Sequence, residues 1–355
     1  MTRIVVAGAG AIGASVAYHL ALLGADDVVL ADRAEVAGGA TAKAMGGVRQ
    51  QFSTAAEVRL TQESIEFFRE LGPPYFEQVG YLFLATSVGG LARLEERRAI
   101  QAGLGVPVES VTAPEAAELA PGVRVDDVRG GSFCAEDGVA DPRAVTHELV
   151  RRAVELGVGV HERTRAEELR ADVYVVASGA HSAEVGRALG VDLPVRPLCR
   201  QLLETAPLDG LPDRLPMTIE EETGFHFRRR DGRLVLAMGD PAPRWGFEEH
   251  VDESLVPDRL DRLAHRFPPA AGTTIERAWA GLYDMTPDAH PIVGRVAESV
   301  FAACGFSGHG FMQAPAAGRA VAEQIVNGSS SIDLSPYRLD RFDAREQAVS
   351  EELVL

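Results

Sequence analysis

Short apolar runs and a longer helical segment alternate at the start of the chain. Residues 3–8, RIVVAG, have the length and apolar content of a buried strand. Residues 11–25 have helical length and contain a plausible helix stop at Gly24, and a second apolar run follows at 27–33. A strand, a helix and a strand in this order predict a β-α-β unit with parallel strands.

Further apolar runs continue this pattern in two forms. Residues 171–182 and 299–308 have the composition of additional core strands. Longer runs bounded by turn residues predict a second, mixed or antiparallel sheet, and Arg-Asp-Gly-Arg at 230–233 predicts a hairpin. These longer runs lie at 80–87, 130–139, 199–207, 224–240 and 273–286, with helices predicted at 113–120 and 256–267. The two kinds of strand interleave, so each domain should comprise several chain segments.

Composition restricts the class of protein. The 355 residues suggest about two domains, and 46% hydrophobic and 25% charged residues are typical of a soluble globular protein. The net charge of −17 argues against nucleic acid or an anionic membrane as partner. An anionic substrate would therefore need a local cationic site. No segment after the apolar first 25 residues is long enough to cross a bilayer.

The cysteines Cys134, Cys199 and Cys304 are odd in number and show no CxxC spacing. They predict no disulfide framework and a reducing, cytoplasmic location. No His, Cys and carboxylate spacing indicates a metal site. The apolar first 25 residues raise the alternative of a signal peptide, but their spaced glycines favour a nucleotide site.

The first glycine loop has the GxGxxG pattern of dinucleotide-binding proteins. Gly8 permits the tight turn, Gly10 lets a pyrophosphate approach the backbone, and Gly13 lets helix and strand pack closely. The following helix directs unpaired N–H groups at the phosphates. Asp32, 19 residues past Gly13 at the end of the next strand, is placed to accept hydrogen bonds from a ribose. The alternative is a close-packed turn without ligand.

The motif alone does not separate NAD from FAD. Residues 32–52, DRAEVAGGATAKAMGGVRQQF, contain two more glycine pairs where an NAD-binding domain usually enters its next helix. We expect this segment to stay extended for about fifteen residues, which is long for a connection without function. A long, flat cofactor such as FAD could lie along it.

Several motifs together resemble the FAD-dependent amino acid and amine oxidoreductases of the D-amino acid oxidase superfamily. The similarity is greatest to the sarcosine oxidase, glycine oxidase and proline dehydrogenase branch. The matching segments are spread over nearly the whole chain in the family's order: VAGAGAIGASVAYHLA, GGATAKAMGGVRQQFS, DGVADP, VVASGAHS, GLYDMTPDAHPIVG and CGFSGHGFMQAPAAG.

The resemblance implies an α/β (α+β) fold, in which a Rossmann-like FAD-binding domain joins a discontinuous substrate domain with a large mixed or antiparallel sheet. It assigns 1–78, 136–196 and 284–340 to the FAD-binding domain, 79–135 and 197–283 to the substrate domain, and 341–355 to a tail whose end frays. It also implies oxidation of the C–N bond of a small amine or amino acid by hydride transfer to flavin N5, giving an imine that water hydrolyses.

The resemblance also implies which residues bind FAD. Gly8, Gly10, Gly13, Asp32 and Arg33 would hold the ADP half, with Ala11 and Ile12 in the same turn. Thr41, Gly46 and Gly47 would lie near the pyrophosphate and flavin, and Ser178 and Gly179 near the ribityl chain. The second glycine loop would reach the flavin pyrimidine and direct the start of a helix at 313–326 towards N1 and O2. Its residues are Gly305, Gly308, His309, Gly310, Phe311 and Met312.

Departures from the family pattern concern attachment, substrate and oxygen. Gly281 stands where covalent relatives have a cysteine, so we expect non-covalent FAD. Tyr283 replaces an arginine that clamps the substrate carboxylate, and Met312 replaces a lysine. Lys43 is the only lysine, whereas sarcosine oxidase uses a lysine to activate oxygen. The electron acceptor could therefore be oxygen or another carrier.

Four residues are candidates for substrate chemistry, and each has a structural alternative. Arg49 could clamp a carboxylate, or bind flavin or stabilise the fold. His226 faces the pocket or the solvent if Phe225 and Phe227 point to the other side of their strand, and it could equally be a strand histidine without a catalytic role. Tyr283 could donate a hydrogen bond to substrate or only line the pocket, and His309 could act through its ring or its N–H.

Two other functions remain open from the sequence. GxGxxG fits an NAD-dependent dehydrogenase as well as an FAD enzyme. The chain could also be the flavin-bearing subunit of a hetero-oligomeric electron-transfer complex, and homo-oligomers are equally compatible with it.

Overall fold

A computed structural model describes residues 2–343, 350–352 and 354–355. The strands are β1 Arg3–Ala7, β2 Asp27–Ala31, β3 Gly47–Val48, β4 Phe76–Glu77, β5 Tyr81–Ala85, β6 Val108–Val111, β7 Gly130–Cys134, β8 Gly138–Ala140, β9 Gly159–His161, β10 Val173–Val176, β11 Arg196–Thr205, β12 Met217–Glu220, β13 His226–Arg230, β14 Arg233–Ala237, β15 Arg244–Trp245, β16 Ile275–Met285, β17 Ile292–Ala297 and β18 Val300–Cys304. The α-helices are α1 Ala11–Leu22, α2 Ala40–Lys43, α3 Ala55–Leu71, α4 Val88–Gly103, α5 Ala113–Leu119, α6 Pro142–Glu155, α7 Ser182–Ala188, α8 Val256–Arg266 and α9 Gly310–Asn327. Within those described ranges, no helix is long and apolar enough to span a membrane.

The first sheet has the strand order β17-β18-β10-β1-β2-β9. β1 lies parallel to β2 and β10, and β10 lies parallel to β18, which confirms the predicted β-α-β unit and both further core strands. Its side chains alternate between two apolar layers: Ile4 and Val6 belong to the cluster that includes α1 and α9, whereas Val5 and Ala7 belong to one on the opposite face. Burial on both faces explains the continuous apolar runs.

The second sheet contains nine strands, in the order β15-β11-β14-β13-β12-β5-β7-β6, with β16 paired to β11. The predicted hairpin is confirmed, because β13 and β14 pair antiparallel up to Arg230 and Arg233. Phe225 and Phe227 are buried in an apolar cluster with residues of α5 and α8, so these helices cover that face. The α/β fold with a large mixed sheet is therefore confirmed.

The run 130–139 was expected to form one strand, but the structure divides it. β7 ends at Cys134, and β8 begins at Gly138 in a small three-stranded sheet with β3 and β4. The division occurs at Asp137, whose carboxylate accepts the backbone N–H of Gln50 at 2.9 Å. This side-chain bond fixes the turn between the second sheet and the small three-stranded sheet. The domain boundaries remain a prediction.

The segment after Asp32 is less extended than predicted, because residues 40–43 form the short helix α2. The end of the chain also differs from the prediction of a fraying tail. Glu351 is 3% exposed, and its carboxylate accepts bonds from the backbone N–H and hydroxyl groups of Ser53 and Thr54. The rest of that tail, at 344–349 and 353, lies outside the described residues.

Candidate cofactor and substrate site

Both glycine loops open at the same edge of the first sheet. One follows β1 and the other follows β18, and β10 lies between these parallel strands. The loops are therefore about 10 Å apart, which is two strand spacings. α1 and α9 begin at these loops and pack closely, since a Cβ at Gly318 would lie 2.2 Å from Ser15 Oγ. Two helix N-termini consequently face one space.

The first loop depends on backbone that only glycine can provide. Gly8 has a φ of +110°, and a Cβ there would lie 2.4 Å from the carbonyl oxygen of Ala177. A Cβ at Gly13 would lie 1.7 Å from the Gly8 carbonyl oxygen. The Asp32 carboxylate accepts the Ala9 N–H at 2.7 Å and keeps lone pairs for a further donor. Asp32 thus supports the loop and remains available for a ribose.

Thr41 lies over the start of α1. Gly10 is the N-cap, Ala11 and Ile12 form the first turn, and the Ala11 N–H donates to Thr41 Oγ1 at 3.1 Å. This hydroxyl therefore occupies the position at which the helix N-terminus would meet an anion. α2 brings Thr41 to the first loop although 30 residues separate Thr41 from Ala11.

The segment after β10 completes this edge. Ser178 Oγ donates to the carbonyl oxygen of Ala7 at 2.8 Å, and Gly179 follows with a φ of +51°. Arg33 contacts the ring of His181, so the predicted ribityl-side turn adjoins the predicted ADP side. The His181 ring also stacks on Phe247 of the loop that follows β15, with ring centroids 4.5 Å apart.

Gly46 and Gly47 lie in close contact with β8 of the small sheet and β5 of the second sheet. A Cβ at Gly46 would lie 2.2 Å from the Ala140 carbonyl oxygen, and one at Gly47 would lie 1.6 Å from Tyr81 Oη. Of the predicted flavin-side glycines, Gly46 therefore lies against β8 and Gly47 against β5 of the second sheet. Larger residues would separate β3 from that sheet.

The second loop is held by the last residues of β16. The Gly305 N–H donates to Asp284 Oδ2 at 2.7 Å, and the Ser307 N–H donates to the Asp284 carbonyl oxygen at 3.1 Å. Burial raises the pKa of Asp284 to about 6. Gly308 has a φ of +95° and lies on the ring of Tyr283, because a Cβ there would meet ring carbon Cε2 at 2.4 Å.

α9 begins earlier than predicted, at Gly310 instead of Gln313. His309 is its N-cap, and the His309 N–H donates to the Phe306 carbonyl oxygen at 2.9 Å. This turn bond places the helix N-terminus inside the glycine loop. The His309 ring is 3% exposed and meets the Phe52 ring edge to face, with centroids 5.0 Å apart.

Two side chains of the second loop lie in the apolar core. Phe311 packs against Phe68 of α3, with ring centroids 5.3 Å apart. Met312 is 7% exposed and belongs to the same large apolar cluster. Their predicted contact with flavin is therefore restricted to backbone groups.

A buried carboxylate supports this helix from behind, and it was missed by the sequence analysis. Glu57 of α3 is 0% exposed, contacts the Gln313 side-chain amide, and lies 2.6 Å from Nδ1 of His290. Burial raises the pKa of Glu57. Nothing in the local sequence marks Glu57, because its partners lie more than 200 residues away.

Arg49 is 1% exposed and follows β3. Its guanidinium donates to the carbonyl oxygen of Gln51 and lies 4.0 Å from the centroid of the Phe52 ring. Burial lowers the pKa of Arg49. Arg49 lies near Tyr81 of β5, so this predicted clamp lies between β3 and the second sheet, a position that we call the cleft.

His226 is 5% exposed, on the face of β13 opposite Phe225 and Phe227. The Gly224 carbonyl oxygen lies 2.8 Å from Nδ1, which assigns the proton to that nitrogen. Burial, with smaller contributions from the charges of Arg49 and Arg200, lowers the pKa of His226 to about 4. His226 is therefore neutral at pH 7, with Nε2 available as an acceptor.

Tyr283 connects the second loop, the second sheet and the end of the chain. Its ring lies under Gly308, and its hydroxyl donates to the carbonyl oxygen of Leu355 at 2.7 Å. Burial raises the pKa of Tyr283. Gly281 precedes it on β16, and a Cβ there would lie 3.1 Å from Lys43 Cβ.

Arg228 was not singled out from the sequence, although it lies two residues after His226 on the same face of β13. It is 5% exposed, and one guanidinium nitrogen donates to the Ala140 carbonyl oxygen at 3.4 Å. Burial lowers the pKa of Arg228 to about 10. The period of two in a strand would have placed Arg228 beside His226.

These features fit FAD. Two glycine loops and two helix N-termini share one edge, which suits a cofactor with a diphosphate at one end and an electron-rich ring at the other. The first loop, Asp32 and Thr41 would hold the ADP half, and Gly46, Gly47 and the second loop would adjoin the ring. Among the residues that the structure describes, no group of three His, Cys, Asp or Glu could hold a metal ion.

The comparisons with known proteins agree with this fit. Residues 3–324 match the DAO family, described as FAD dependent oxidoreductase. The chain belongs to this family, and it is an FAD-dependent oxidoreductase. FAD is thus its cofactor, which resolves the alternative of NAD.

Individual relatives cover almost all of this chain. The 4-methylaminobutanoate oxidase (formaldehyde-forming) of Paenarthrobacter nicotinovorans is 26% identical over 97% of the chain, which spans 46% of that relative's length. The sarcosine oxidase subunit beta of Arthrobacter sp is 24% identical, covering 96% of this chain and 91% of the subunit. L-proline dehydrogenase from P. horikoshii superposes with a TM-score of 0.90 at 27% identity, covering 98% and 99% of the two chains.

Proposed function

We propose that the protein oxidises the C–N bond of a small secondary amino acid by hydride transfer from the carbon next to nitrogen, giving an imine that water hydrolyses. The names of the three relatives share one chemistry, since sarcosine, 4-methylaminobutanoate and L-proline are secondary amines that carry a carboxylate. The observation that carries the proposal is the contact between Gly308 of the second loop and Tyr283 of the second sheet. It brings the cofactor edge and the substrate sheet together.

The residues of the cleft suit the binding of such a substrate. FAD, when bound, supplies the two-electron acceptor. His226 stays neutral at pH 7, so it offers Nε2 to a substrate N–H without adding positive charge near the amine. Arg49 provides positive charge for a carboxylate inside a protein of net charge −17. Orientation by these groups contributes most of the protein's part in the rate.

The electron acceptor is a second part of the proposal. Lys43, the only lysine, is paired with Glu249 of the loop that follows β15. A lysine held in an ion pair is poorly suited to activating oxygen. We therefore favour a dehydrogenase that passes electrons to another carrier, and the relative named as a subunit is consistent with a partner chain.

Anaerobic flavin reduction tests the proposal. The purified protein is mixed with sarcosine, L-proline, glycine, 4-methylaminobutanoate and D-amino acids, and loss of the flavin absorbance is followed. Methoxyacetate, which replaces the sarcosine nitrogen by oxygen, is the matched control and should leave the flavin oxidised. Failure of sarcosine, L-proline and 4-methylaminobutanoate to bleach the flavin would contradict the proposal, whether or not glycine or a D-amino acid bleaches it.

Two further measurements test the electron acceptor and the role of Arg49 separately. Re-oxidation of the reduced flavin by oxygen should be slow, and a fast reaction would support an oxidase instead. Arg49→Ala should retain FAD and raise KM for the carboxylate substrate about 100-fold, the value of a lost charge-assisted contact. An unchanged KM would place the carboxylate elsewhere in the cleft.

A further inference from the structure

The place of Arg228 follows from the alternation of side chains along β13. Phe225 and Phe227 are 0% exposed and lie in the apolar cluster beneath the sheet, so His226 and Arg228 lie on the other face. That face is opposed by β3 and β8, because a guanidinium nitrogen of Arg228 lies 3.4 Å from the Ala140 carbonyl oxygen. Arg228 is therefore in the gap between the second sheet and the predicted flavin-side glycines.

Arg228 differs from other buried arginines of the second sheet and its helices. Arg266 is 1% exposed and donates to Glu220 at 2.7 Å and to Asp127 at 2.8 Å. Arg97 is 8% exposed and donates to Glu221 at 2.7 Å. In the described part of the chain no carboxylate forms an ion pair with Arg228, and its Nε has no hydrogen-bond partner.

A buried guanidinium without an anion is unfavourable, because it loses hydration and receives no compensating charge. Asp141 and Glu77 interact with Arg228 only through space, and Arg230 opposes its charge. Arg228 nonetheless stays protonated at pH 7, since its pKa is about 10. Arg228 thus keeps its positive charge and has unused N–H donors. An anionic group of a ligand can pair with it.

The chemistry of the donors defines that anion. A guanidinium binds a carboxylate through two parallel N–H bonds, and Arg228 has unused N–H groups for this. The diphosphate is the other anion of the complex, but its loop and Thr41 lie at the edge of the first sheet, where α1 begins. Arg228 lies on the second sheet, two residues from the neutral His226.

We propose that Arg228 anchors the carboxylate of the substrate and so selects amines that carry an acid group. This inference rests on the proposed function and deepens it, because it identifies the residue that determines the substrate class. Arg49, bonded to Gln51 and stacked on Phe52, is then the second positive charge that acts on this carboxylate, and Arg228 provides the bidentate contact. Sarcosine and L-proline would be recognised, whereas dimethylamine and pyrrolidine would not.

A binding experiment separates this inference from the proposed function. Pyrrole-2-carboxylate has the nitrogen and carboxylate of a secondary amino acid but no hydrogen that can be removed as hydride, and pyrrole lacks the carboxylate. Binding of each to the FAD-loaded protein is followed by the change in the visible flavin spectrum. We expect Arg228→Met to weaken pyrrole-2-carboxylate at least about 30-fold and pyrrole by no more than about twofold.

Matched variants complete the test. Arg228→Lys keeps the charge without the planar fork and should lose about five- to tenfold, with FAD content unchanged. Arg230→Met, two residues further on the same face and paired with Glu204, should leave both ligands unaffected. The inference is overturned if Arg228→Met or Arg228→Lys leaves pyrrole-2-carboxylate unchanged, or weakens both ligands equally. Because binding needs no turnover, flavin that no amine reduces would contradict only the proposed function.

Discussion

The two glycine loops begin at the same edge of one sheet, but they are supported from different parts of the molecule. The first is held by Asp32, at the end of the neighbouring strand of its own sheet. The second is held by Asp284 and lies on Tyr283, both from β16 of the other sheet. The difference shows that similar loops can have separate tasks. We infer that the first serves the cofactor alone, whereas the second connects the predicted cofactor edge with the second sheet.

The largest expected effect is loss of the first loop. Gly13→Ala places a Cβ 1.7 Å from the Gly8 carbonyl oxygen, so the loop must open. We expect FAD binding to weaken at least about 100-fold, as overpacking costs of a few kcal/mol imply. Titration of the apoprotein with FAD measures this. Gly103→Ala, where a Cβ meets nothing within 4 Å, is the control and should bind FAD normally.

A change in the second loop should have a different result. Gly308→Ala forces a Cβ to within 3 Å of three atoms of the Tyr283 ring at a φ of +95°. We expect FAD to remain bound and anaerobic flavin reduction by substrate to slow about tenfold, because the cleft is deformed and not the diphosphate loop. Stopped-flow measurement of the reduction rate checks this. Loss of FAD with an unchanged rate per bound flavin would contradict the division of tasks.

The support of the second loop should depend on pH. The folded-state pKa of Asp284 is about 6 against 3.8 when unfolded, so the folded protein binds the extra proton between these values. The free energy of unfolding should therefore fall by about 2 kcal/mol as pH rises from about 4 to about 6, for this partly exposed carboxylate. Above pH 6 it should stay level. Asp284→Asn should remove that part of the dependence. The measurement is the difference in Tm between wild type and variant at pH 4.5 and pH 7, expected to change by a few degrees. An equal difference at both pH values would contradict it.

The smallest effect is expected at Thr41. Thr41→Val removes the hydroxyl that accepts the Ala11 N–H at 3.1 Å but keeps the shape of the side chain. We expect FAD affinity to fall about fivefold, since one neutral hydrogen bond contributes about 1 kcal/mol. Flavin reduction by substrate should be unchanged in the FAD-saturated variant. A slower reduction would show that the first loop also influences the substrate side.

Local patterns predicted much of the fold. The β-α-β unit and the hairpin at Arg230 and Arg233 could be read from the sequence because their signals lie within a few neighbouring residues. The break between β7 and β8 could not, because it depends on the bond from Gln50 to Asp137, 87 residues away. α9 begins earlier than predicted because the His309 N–H donates to the Phe306 carbonyl oxygen. The glycines around His309 favoured a loop there and not the start of a helix.

The candidate site was predictable to a similar extent. The glycine loops and Asp32 form a pattern along the chain, and their positions at one sheet edge follow from parallel strands. Arg228 was not found, because its distinguishing property is the lack of a carboxylate neighbour, which is a property of the folded protein. The position of Leu355 beside Tyr283 is likewise a long-range contact, because the two residues are 72 positions apart in the sequence.

The strand order of the first sheet has a consequence for the synthesis of the protein. β1 and β2 are complete by residue 31, but the inner neighbour β10 ends at 176 and its neighbour β18 at 304. At about 5–20 residues per second, a ribosome needs roughly 15–60 seconds to make the chain between them. During that time the first glycine loop has been synthesised, but the sheet that supports it is incomplete. We therefore expect a nascent chain to bind FAD only after α9 has emerged, and release before that point to leave apolar strand edges exposed to other chains.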